Sequence, residues 1–260
     1  MIQTLSSIQP MMIITLLIVF FTLETFIPDI THFRNRKKHA ARNLVLVLLC
    51  FMVNGIAAAW FGHWFTVIRD QQWGLLNVIH LDGWGVAVSG VFLIDLDSYI
   101  MHVVFHKVSW LWRLHRVHHS DNELDSTSSL RSHPLETVLQ ATWRTVTFAL
   151  LGVPFASFVL FYTVALPLLF IQHSNLRMPV WLEDSLGALF VMSTWHRIHH
   201  SDEQRFTDSH YGNVFTIWDR IFGTSHSDVE VGRLTWGLKE FKEDEDQRVK
   251  RQLLSPFKSR

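Results

Sequence analysis

Cysteine and net charge are the two features that this sequence most clearly lacks. Cys50 is the one cysteine among 260 residues, so a disulfide framework and a thiolate metal site are both excluded. The 23 Lys and Arg residues balance the 23 Asp and Glu residues, which leaves no net charge that would call for a nucleic acid partner. The sequence also has no Gly-rich dinucleotide motif, no haem attachment motif and no set of iron–sulfur cysteines. Any redox chemistry would therefore need electrons from a separate donor.

Apolar residues are abundant, and they are bunched along the chain. They make up 48% of it, with 20 Phe and 11 Trp. Such bunching is typical of a membrane protein with a separate polar portion. Three runs are long enough to form membrane-spanning helices, at residues 11–28, 44–60 and 84–105. The basic cluster at residues 34–42 predicts a cytoplasmic loop between the first two runs.

Histidine is present in unusual number and arrangement. There are 16 histidines, and half of them fall in three clusters. The clusters are His102 and His106; His115, His118 and His119; and His196, His199 and His200. Spacings of three and four residues place the imidazoles on one face of a helix. The last two clusters also lie in nearly identical segments, HRVHHSD and HRIHHSD.

These clusters predict metal binding rather than packing. A lone histidine such as His63 is best explained as a surface side chain, but many neutral imidazoles are costly to bury together without a ligand. One tetrahedral ion takes about four ligands, so the clustered histidines imply two metals. All-nitrogen ligation suits iron, zinc, copper or nickel. Iron is favoured because a lipid chain could reach the site from the apolar helices, and C–H activation needs a redox metal and oxygen.

A fourth apolar run, at residues 146–171, is long for one span and short for two, and Pro154 and Pro167 interrupt it. A single crossing would place the second and third histidine clusters on opposite sides of the membrane. We therefore predict that this run turns back as a short helical hairpin. Residues 180–195 are predicted to form a helix at the membrane interface. The mixed charges from residue 233 onward predict a solvated cytoplasmic segment.

The clusters and their flanking residues resemble the fatty acid hydroxylase/sterol desaturase superfamily of integral-membrane di-iron enzymes. Its HX3H, HX2HH and HX2HH boxes correspond to the three clusters. WRLHRVHHSD is similar to its W-x-x-H-x-x-HHS element, STSSLRSHPLE to its R-x-HP-x-E element, and DSHYGNVFTIWDRIFGT to its D-x-x-YG-…-WD-x-x-FGT ending. The resemblance covers residues 95–224. The chain departs from the pattern at Val103, where relatives often have arginine, and at His210, where many have asparagine.

The resemblance implies nine histidine ligands and no catalytic residue beyond them. The boxes would supply eight, and His173, between the second and third boxes, would be the ninth. Four further residues are candidates to support the ligands: Asp95, His133, Asp208 and His210. Asp95 lies seven residues before His102, on the same helical face. His133 lies in a family motif outside the boxes, where a structural role is an alternative.

These observations predict an all-α integral membrane protein. It would have three to four transmembrane helices, a re-entrant helical hairpin and a cytoplasmic helical cap that holds a histidine-rich di-metal site. Residues 1–94 would form the N-terminal transmembrane helices, residues 95–232 the catalytic domain and residues 233–260 a charged cytoplasmic tail. We expect a bacterial cytoplasmic (inner) membrane, with the active site on the cytoplasmic side.

By this resemblance the protein is a di-iron oxygenase that hydroxylates or desaturates a C–H bond of a lipid. It would use two Fe ions, O2 as co-substrate and an external electron donor of the ferredoxin, cytochrome or reductase type. Oxidation of a carotenoid or an ether lipid is an alternative within the family. A histidine-rich metal transport or storage protein is an alternative of another class. Transporters, however, place their coordinating residues near mid-membrane, whereas these clusters lie outside the clearly apolar runs.

Overall fold

Twelve α-helices account for most of the part of the chain that the computed structural model describes, which is residues 2–31, 33, 35–79 and 83–258. The first seven include all the long ones: α1 (Ile2–Phe26), α2 (Arg36–Asp70), α3 (Leu75–Val78), α4 (Gly83–Lys107), α5 (Ser109–His119), α6 (Pro134–Leu151) and α7 (Phe155–His173). The remaining five are short: α8 (Val180–Gly187), α9 (Ser193–His199), α10 (Gln204–Thr207), α11 (Ile217–Ile221) and α12 (Val249–Leu254). The described residues contain isolated β-bridges but no strand. The predicted all-α class is confirmed.

Three helices, α2, α4 and α7, are long and apolar enough to cross a membrane. In α1 the apolar part, Pro10–Phe26, is shorter. The chain is an integral membrane protein, as predicted. The boundary expected between residues 94 and 95 falls inside the continuous helix α4, so the membrane part and the histidine-bearing part share this element.

The basic cluster at residues 34–42 was expected to form a loop. This expectation is wrong, because α2 already begins at Arg36. The side chain of Asn35 caps the helix by accepting a hydrogen bond from the Lys38 backbone N–H at 3.0 Å. Two of the basic side chains also have acidic partners. Arg36 pairs with Glu24 at 2.9 Å, and Arg42 pairs with Asp244 at 2.8 Å. Arg34 lies outside the described residues.

The predicted hairpin exists, but its arms are not short. They are α6 and α7, of 18 and 19 residues. Pro134, in the first turn of α6, starts the first arm well before the apolar run. Gly152 ends it in the left-handed conformation, and Pro154 precedes the second arm. The hairpin reverses the direction of the chain, so the C-terminal ends of α4 and α7 lie at the same end of the molecule.

Aromatic and aliphatic side chains form the main core where α4, α6 and α7 meet. Ile94, Phe148 and Phe161 are each at most 4% exposed there. Met192 and Val214 join the same cluster from the histidine-bearing end. This core therefore fixes the long helices relative to the segments that follow α7.

Two expectations for the C-terminal half are wrong. Residues 180–195 do not form one helix, because α8 ends at Gly187 and α9 begins only at Ser193. The segment from residue 233 onward is not simply solvated, because Phe241 and Gln252 are buried. The Gln252 side chain accepts a hydrogen bond from Ser120 Oγ at 2.9 Å, directly after the second histidine cluster. The segment is charged on its surface but packs against the cap.

Candidate metal centre

Four elements bring histidines to one end of the molecule. The last turns of α4 carry the first cluster, and α5 carries the second. His173 is the last residue of α7. The third cluster lies on α9, with His200 directly after its end.

All nine histidines predicted as ligands meet in two groups. Within each group, one nitrogen per residue lies within 4.8 Å of the others. The first group is His102, His106, His115, His119 and His199, and the second is His118, His173, His196 and His200. Each HX2HH cluster is divided between the two groups. The two groups are therefore neighbours that share the helices which supply them.

The distances between Nε2 atoms match the edges of a coordination sphere. His199 and His102 are 3.0 Å apart, and His119 and His115 are 3.3 Å apart. In the second group, His173 Nε2 lies 3.2 Å from that of His118 and 3.1 Å from that of His196. A metal–nitrogen bond of about 2.0–2.1 Å implies neighbouring nitrogens roughly 3.0–3.4 Å apart. The donor set therefore fits two metal ions.

In five of the nine rings an acceptor lies close to the opposite nitrogen. His115 Nδ1 lies 2.7 Å from Glu136 Oε1. Four others face backbone carbonyls: His102 that of Tyr211 at 2.9 Å, His118 that of Arg131 at 3.0 Å, His173 that of Leu169 at 2.9 Å, and His199 that of Ser209 at 2.6 Å. A carbonyl can only accept, so Nδ1 carries the proton in these four rings. Each Nε2 lone pair is then directed at its group.

Burial favours the neutral form of five imidazoles that lie outside the membrane-spanning helices. It lowers the pKa of His118, His119, His196, His199 and His200 well below the usual value, and neighbouring histidines lower it further. Neutral rings are the form that binds metal. Buried lone pairs that face one another are unfavourable without a cation between them. His106 Nε2, which has no hydrogen-bond partner, is one such atom.

The four expected supporting residues have different roles. Asp208 Oδ1 lies 3.5 Å from His106 Nδ1, so it is near the first group without forming a hydrogen bond to it. Asp95 makes no hydrogen bond to an imidazole among the described residues. Its carboxylate instead accepts hydrogen bonds from the backbone N–H groups of Val214 and Phe215 and from Trp218 Nε1. A buried carboxylate on α4 thus anchors the loop whose Tyr211 carbonyl holds His102.

Two histidines of this set lie outside the groups. His133 Nδ1 caps α6 by accepting from the Leu135 N–H at 3.1 Å, which is a structural role. His210 packs on Trp195, with ring centres 4.4 Å apart, and its Nε2 accepts from the His226 N–H at 2.9 Å. Neither residue belongs to a metal-binding group among the described residues.

Glu136 and Arg131 also contact the histidine groups, and neither was predicted as a site residue. Burial works to raise the pKa of Glu136, but its electrostatic interaction with His115 and hydrogen bonds from His115 and Ser132 hold it below its usual value. Glu136 is therefore ionised beside the imidazole. Arg131 is 1% exposed, and its side chain donates to Val117 O, Asn43 and Ser120. Both belong to the R-x-HP-x-E element, which was the available signal.

A cavity of about 370 Å³ opens beside both groups. His102, His115, His118, His173 and His196 line one part of it. Apolar side chains of the long helices line much of the rest, among them Val47, Phe51, Met101, Phe105 and Phe161. Its size lies in the range of small-molecule sites, which is about 300–1,000 Å³. An apolar chain can therefore lie next to the metal-binding atoms.

Comparison with known proteins gives consistent results. Residues 87–224 match the model of the fatty acid hydroxylase family. Alkylglycerol monooxygenase of Caenorhabditis elegans is 27% identical over 225 residues, which cover 85% of this chain and 43% of that protein. Ornithine lipid hydroxylase OlsE of Rhizobium tropici is 29% identical, over 56% of this chain and 44% of that protein.

A third relative is covered more fully. Cholesterol 25-hydroxylase-like protein of Danio rerio is 31% identical over 170 residues, which cover 63% of this chain and 64% of that protein. The chain thus spans less than half the length of the first two relatives and about two thirds of the third. No solved structure matches.

Proposed function

The chain belongs to the fatty acid hydroxylase family, and from that premise we propose that it is a membrane-bound di-iron enzyme that oxidises a lipid. It would use O2 and electrons from an external donor to hydroxylate a C–H bond, with desaturation as the other outcome of the same site. The names of the relatives, monooxygenases and hydroxylases, support this proposal. Electron delivery by a ferredoxin, cytochrome or reductase is part of it.

One observation carries the proposal. Nine histidines, seven buried and two partly buried, direct ring nitrogens into two adjacent groups, and five of these histidines also line a mainly apolar cavity. A transport or storage site would need no such cavity. Transporters also place their coordinating residues near mid-membrane, whereas these groups lie at the ends of α4 and α7.

The protein's own residues prepare the reaction. Two iron ions held by the two groups would supply the redox chemistry that activates O2. The carboxylate of Glu136 keeps the proton on His115 Nδ1, and the backbone carbonyls do the same for four other rings. The apolar wall of the cavity excludes bulk water and holds one carbon of the lipid near the metals.

The proposal includes a location and a division of the chain. The histidine groups lie on the cytoplasmic side of a bacterial inner membrane. The basic residues at the start of α2 lie on the same side. Residues 95–232 supply the ligands, residues 1–94 supply most of the membrane anchor, and residues 233–260 cover the cap.

Analysis of lipids from cells that express the wild-type protein tests the activity. His118→Ala is the matched inactive variant, because it removes one ligand of the second group. We expect the wild type to form a lipid product that carries oxygen from isotopically labelled O2, and the variant not to form it. A dehydrogenated product would indicate desaturation instead. No oxidised lipid from folded, iron-replete wild-type protein with a reductant supplied would contradict the proposal.

A further inference from the structure

The cavity beside the histidines has a polar end that the metal site does not explain. Polar side chains other than the histidines also line it, among them four from three long helices. They are Asn54 on α2, Ser98 on α4, and Gln140 and Arg144 on α6. Ionisable side chains among membrane helices are costly, and they commonly mark a substrate path. Arg144 is therefore the residue that needs an explanation.

One face of α6 carries charge of both signs along the cavity. Glu136, Gln140 and Arg144 are spaced four residues apart, which places them on the same helical face. All three line the cavity. Glu136 marks the histidine end through its contact with His115. At about 1.5 Å per residue, Arg144 lies roughly 12 Å further along the helix axis.

The guanidinium of Arg144 is only loosely paired. Its Nη1 is 3.9 Å from Asp97 Oδ2, and both Nη atoms are 3.4 Å from Ser98 Oγ. The Asp97 carboxylate already accepts a hydrogen bond from Trp143 Nε1 at 2.7 Å and another from Thr147 Oγ1 at 3.2 Å. Asp97 therefore offsets part of the positive charge of Arg144, but it forms no short hydrogen bond with the guanidinium group.

Other partly or fully buried arginines of this chain have close partners. Arg36 lies 2.9 Å from Glu24, and Arg197 lies 2.6 Å from Asp29. Arg131 donates hydrogen bonds of 2.8–3.0 Å from its side chain. Arg144 departs from this pattern: it lines the cavity, as Arg131 does, but it has no comparably close partner. A guanidinium fork matches a carboxylate or a phosphate group, which it can bind through two hydrogen bonds.

We propose that Arg144 binds the anionic oxygen group of a single-chain lipid. This group is a carboxylate or a phosphate monoester. The cavity, at about 370 Å³, is near the lower limit for ligand sites of about 300–1,000 Å³, which favours one chain over two. With the anionic group at Arg144, the chain rather than the polar group lies beside the histidines.

This inference deepens the proposed function, on which it rests for the reaction. Anchoring at Arg144 sets the distance from the anionic group to the metals. It therefore selects a carbon well down the chain for oxidation, rather than one adjacent to the polar group.

Binding of three probes to the detergent-purified, iron-loaded protein tests the proposal. The probes are palmitate, methyl palmitate and hexadecyl phosphate at alkaline pH, and the readout is tryptophan fluorescence. We expect the wild type to bind an anionic probe at least about tenfold more tightly than the methyl ester. Arg144→Gln should remove this preference and leave ester binding unchanged, and Arg144→Lys should retain part of it. Thr142→Val, on the exposed face of the same helix, is the control that should keep the full preference.

The three probes and the variants distinguish the possible outcomes. Preference for hexadecyl phosphate over palmitate identifies a phosphate as the bound group, and the reverse order identifies a carboxylate. Equal binding of acid and ester by the wild type overturns the proposal, as does a preference that survives in Arg144→Gln. If Arg144→Gln does not fold, the proposal is tested by the preference of the wild type for the anionic probes over the methyl ester and by the part of that preference that Arg144→Lys retains.

Failure of this inference can be separated from failure of the proposed function because binding requires no turnover. A clear anionic preference without lipid oxidation contradicts the function alone. Lipid oxidation without any preference contradicts the Arg144 site alone.

Discussion

Glu136 shows how one side chain prepares the metal site. It is 1% exposed, and it accepts from His115 Nδ1 at 2.7 Å and from Ser132 Oγ at 2.7 Å. Its negative charge increases the basicity of the ligand and fixes the orientation of the ring. The other short contacts to Nδ1 atoms of the nine histidines come from backbone carbonyls, which a substitution does not remove. The contact from Glu136 comes from a side chain, so a single substitution can remove it.

We predict that Glu136→Gln weakens iron binding about 10- to 100-fold, the usual cost of losing such a partner. The measurement is iron content at limiting iron, compared with the wild type. Glu230→Gln, on the surface and paired with Arg233, serves as the control. Unchanged iron affinity in Glu136→Gln would show that the carboxylate does not support the ligand.

Asp121 is the buried acid that stabilises the cap beneath the histidines. It is within 2.8 Å of His39 Nε2, 2.7 Å of Ser128 Oγ and 3.9 Å of Arg131. Burial works to raise its pKa, but the charges of His39 and Arg131 and the hydrogen bonds lower it below the usual value. The folded pKa lies below the unfolded one, so the stabilisation is present above about pH 4 and is lost as the pH falls further.

We predict that Asp121→Asn lowers the free energy of unfolding at neutral pH by about 3–5 kcal/mol, as breaking a buried ion pair does. The difference in the free energy of unfolding between variant and wild type should stay constant down to about pH 4 and then become smaller. Unfolding followed by circular dichroism in detergent measures it. A difference that became larger on acidification would contradict a lowered pKa of Asp121 in the folded protein.

At the scale of elements, the turn of the α6–α7 hairpin depends on two glycines. Gly74 has φ +102, and a Cβ there would lie 2.0 Å from the backbone N of Gly152. Gly152 itself has φ +66. The link before α4 and the hairpin turn can therefore touch only where neither carries a side chain. Such backbone conformations cost other residues about 1–3 kcal/mol even before the steric clash.

Gly74→Ala is accordingly expected to lower the melting temperature in detergent. Gly55→Ala on α2 is the matched control, since a Cβ there meets nothing within 4 Å. The control should be neutral or stabilising by up to about 1 kcal/mol, because alanine favours helix. Equal effects of the two substitutions would mean that the close approach of Gly74 and Gly152 is unimportant.

Local sequence accounts for part of these elements. The spacing of the clusters predicts the faces of α4, α5 and α9, because helical periodicity is a local property. The length of the hairpin arms was not predicted, because α6 begins at Pro134 in a polar segment before the apolar run. Asp95 was assigned from helical spacing alone. Its partners, the backbone of Val214 and Phe215 and the indole of Trp218, are more than a hundred residues away in sequence.

At the scale of the whole molecule, the site exists because distant elements are packed at one end. His118 on α5 joins His173 on α7 and two histidines of the third cluster, whereas His199 of α9 joins the α4 histidines. The number of histidines and their likeness to three boxes predict that they gather. How they divide between two groups depends on the packing of four elements, which no single segment encodes.

Iron stoichiometry tests the two-metal site most directly. Mössbauer spectroscopy and metal analysis would be made on folded, iron-supplemented protein in detergent. His199→Ala in the first group and His196→Ala in the second are compared with the exposed control His63→Ala. We predict about two irons per chain in the wild type and the control, at roughly four or five nitrogens each, with marked loss in both variants. One iron or none in folded wild-type protein would contradict the two-metal site.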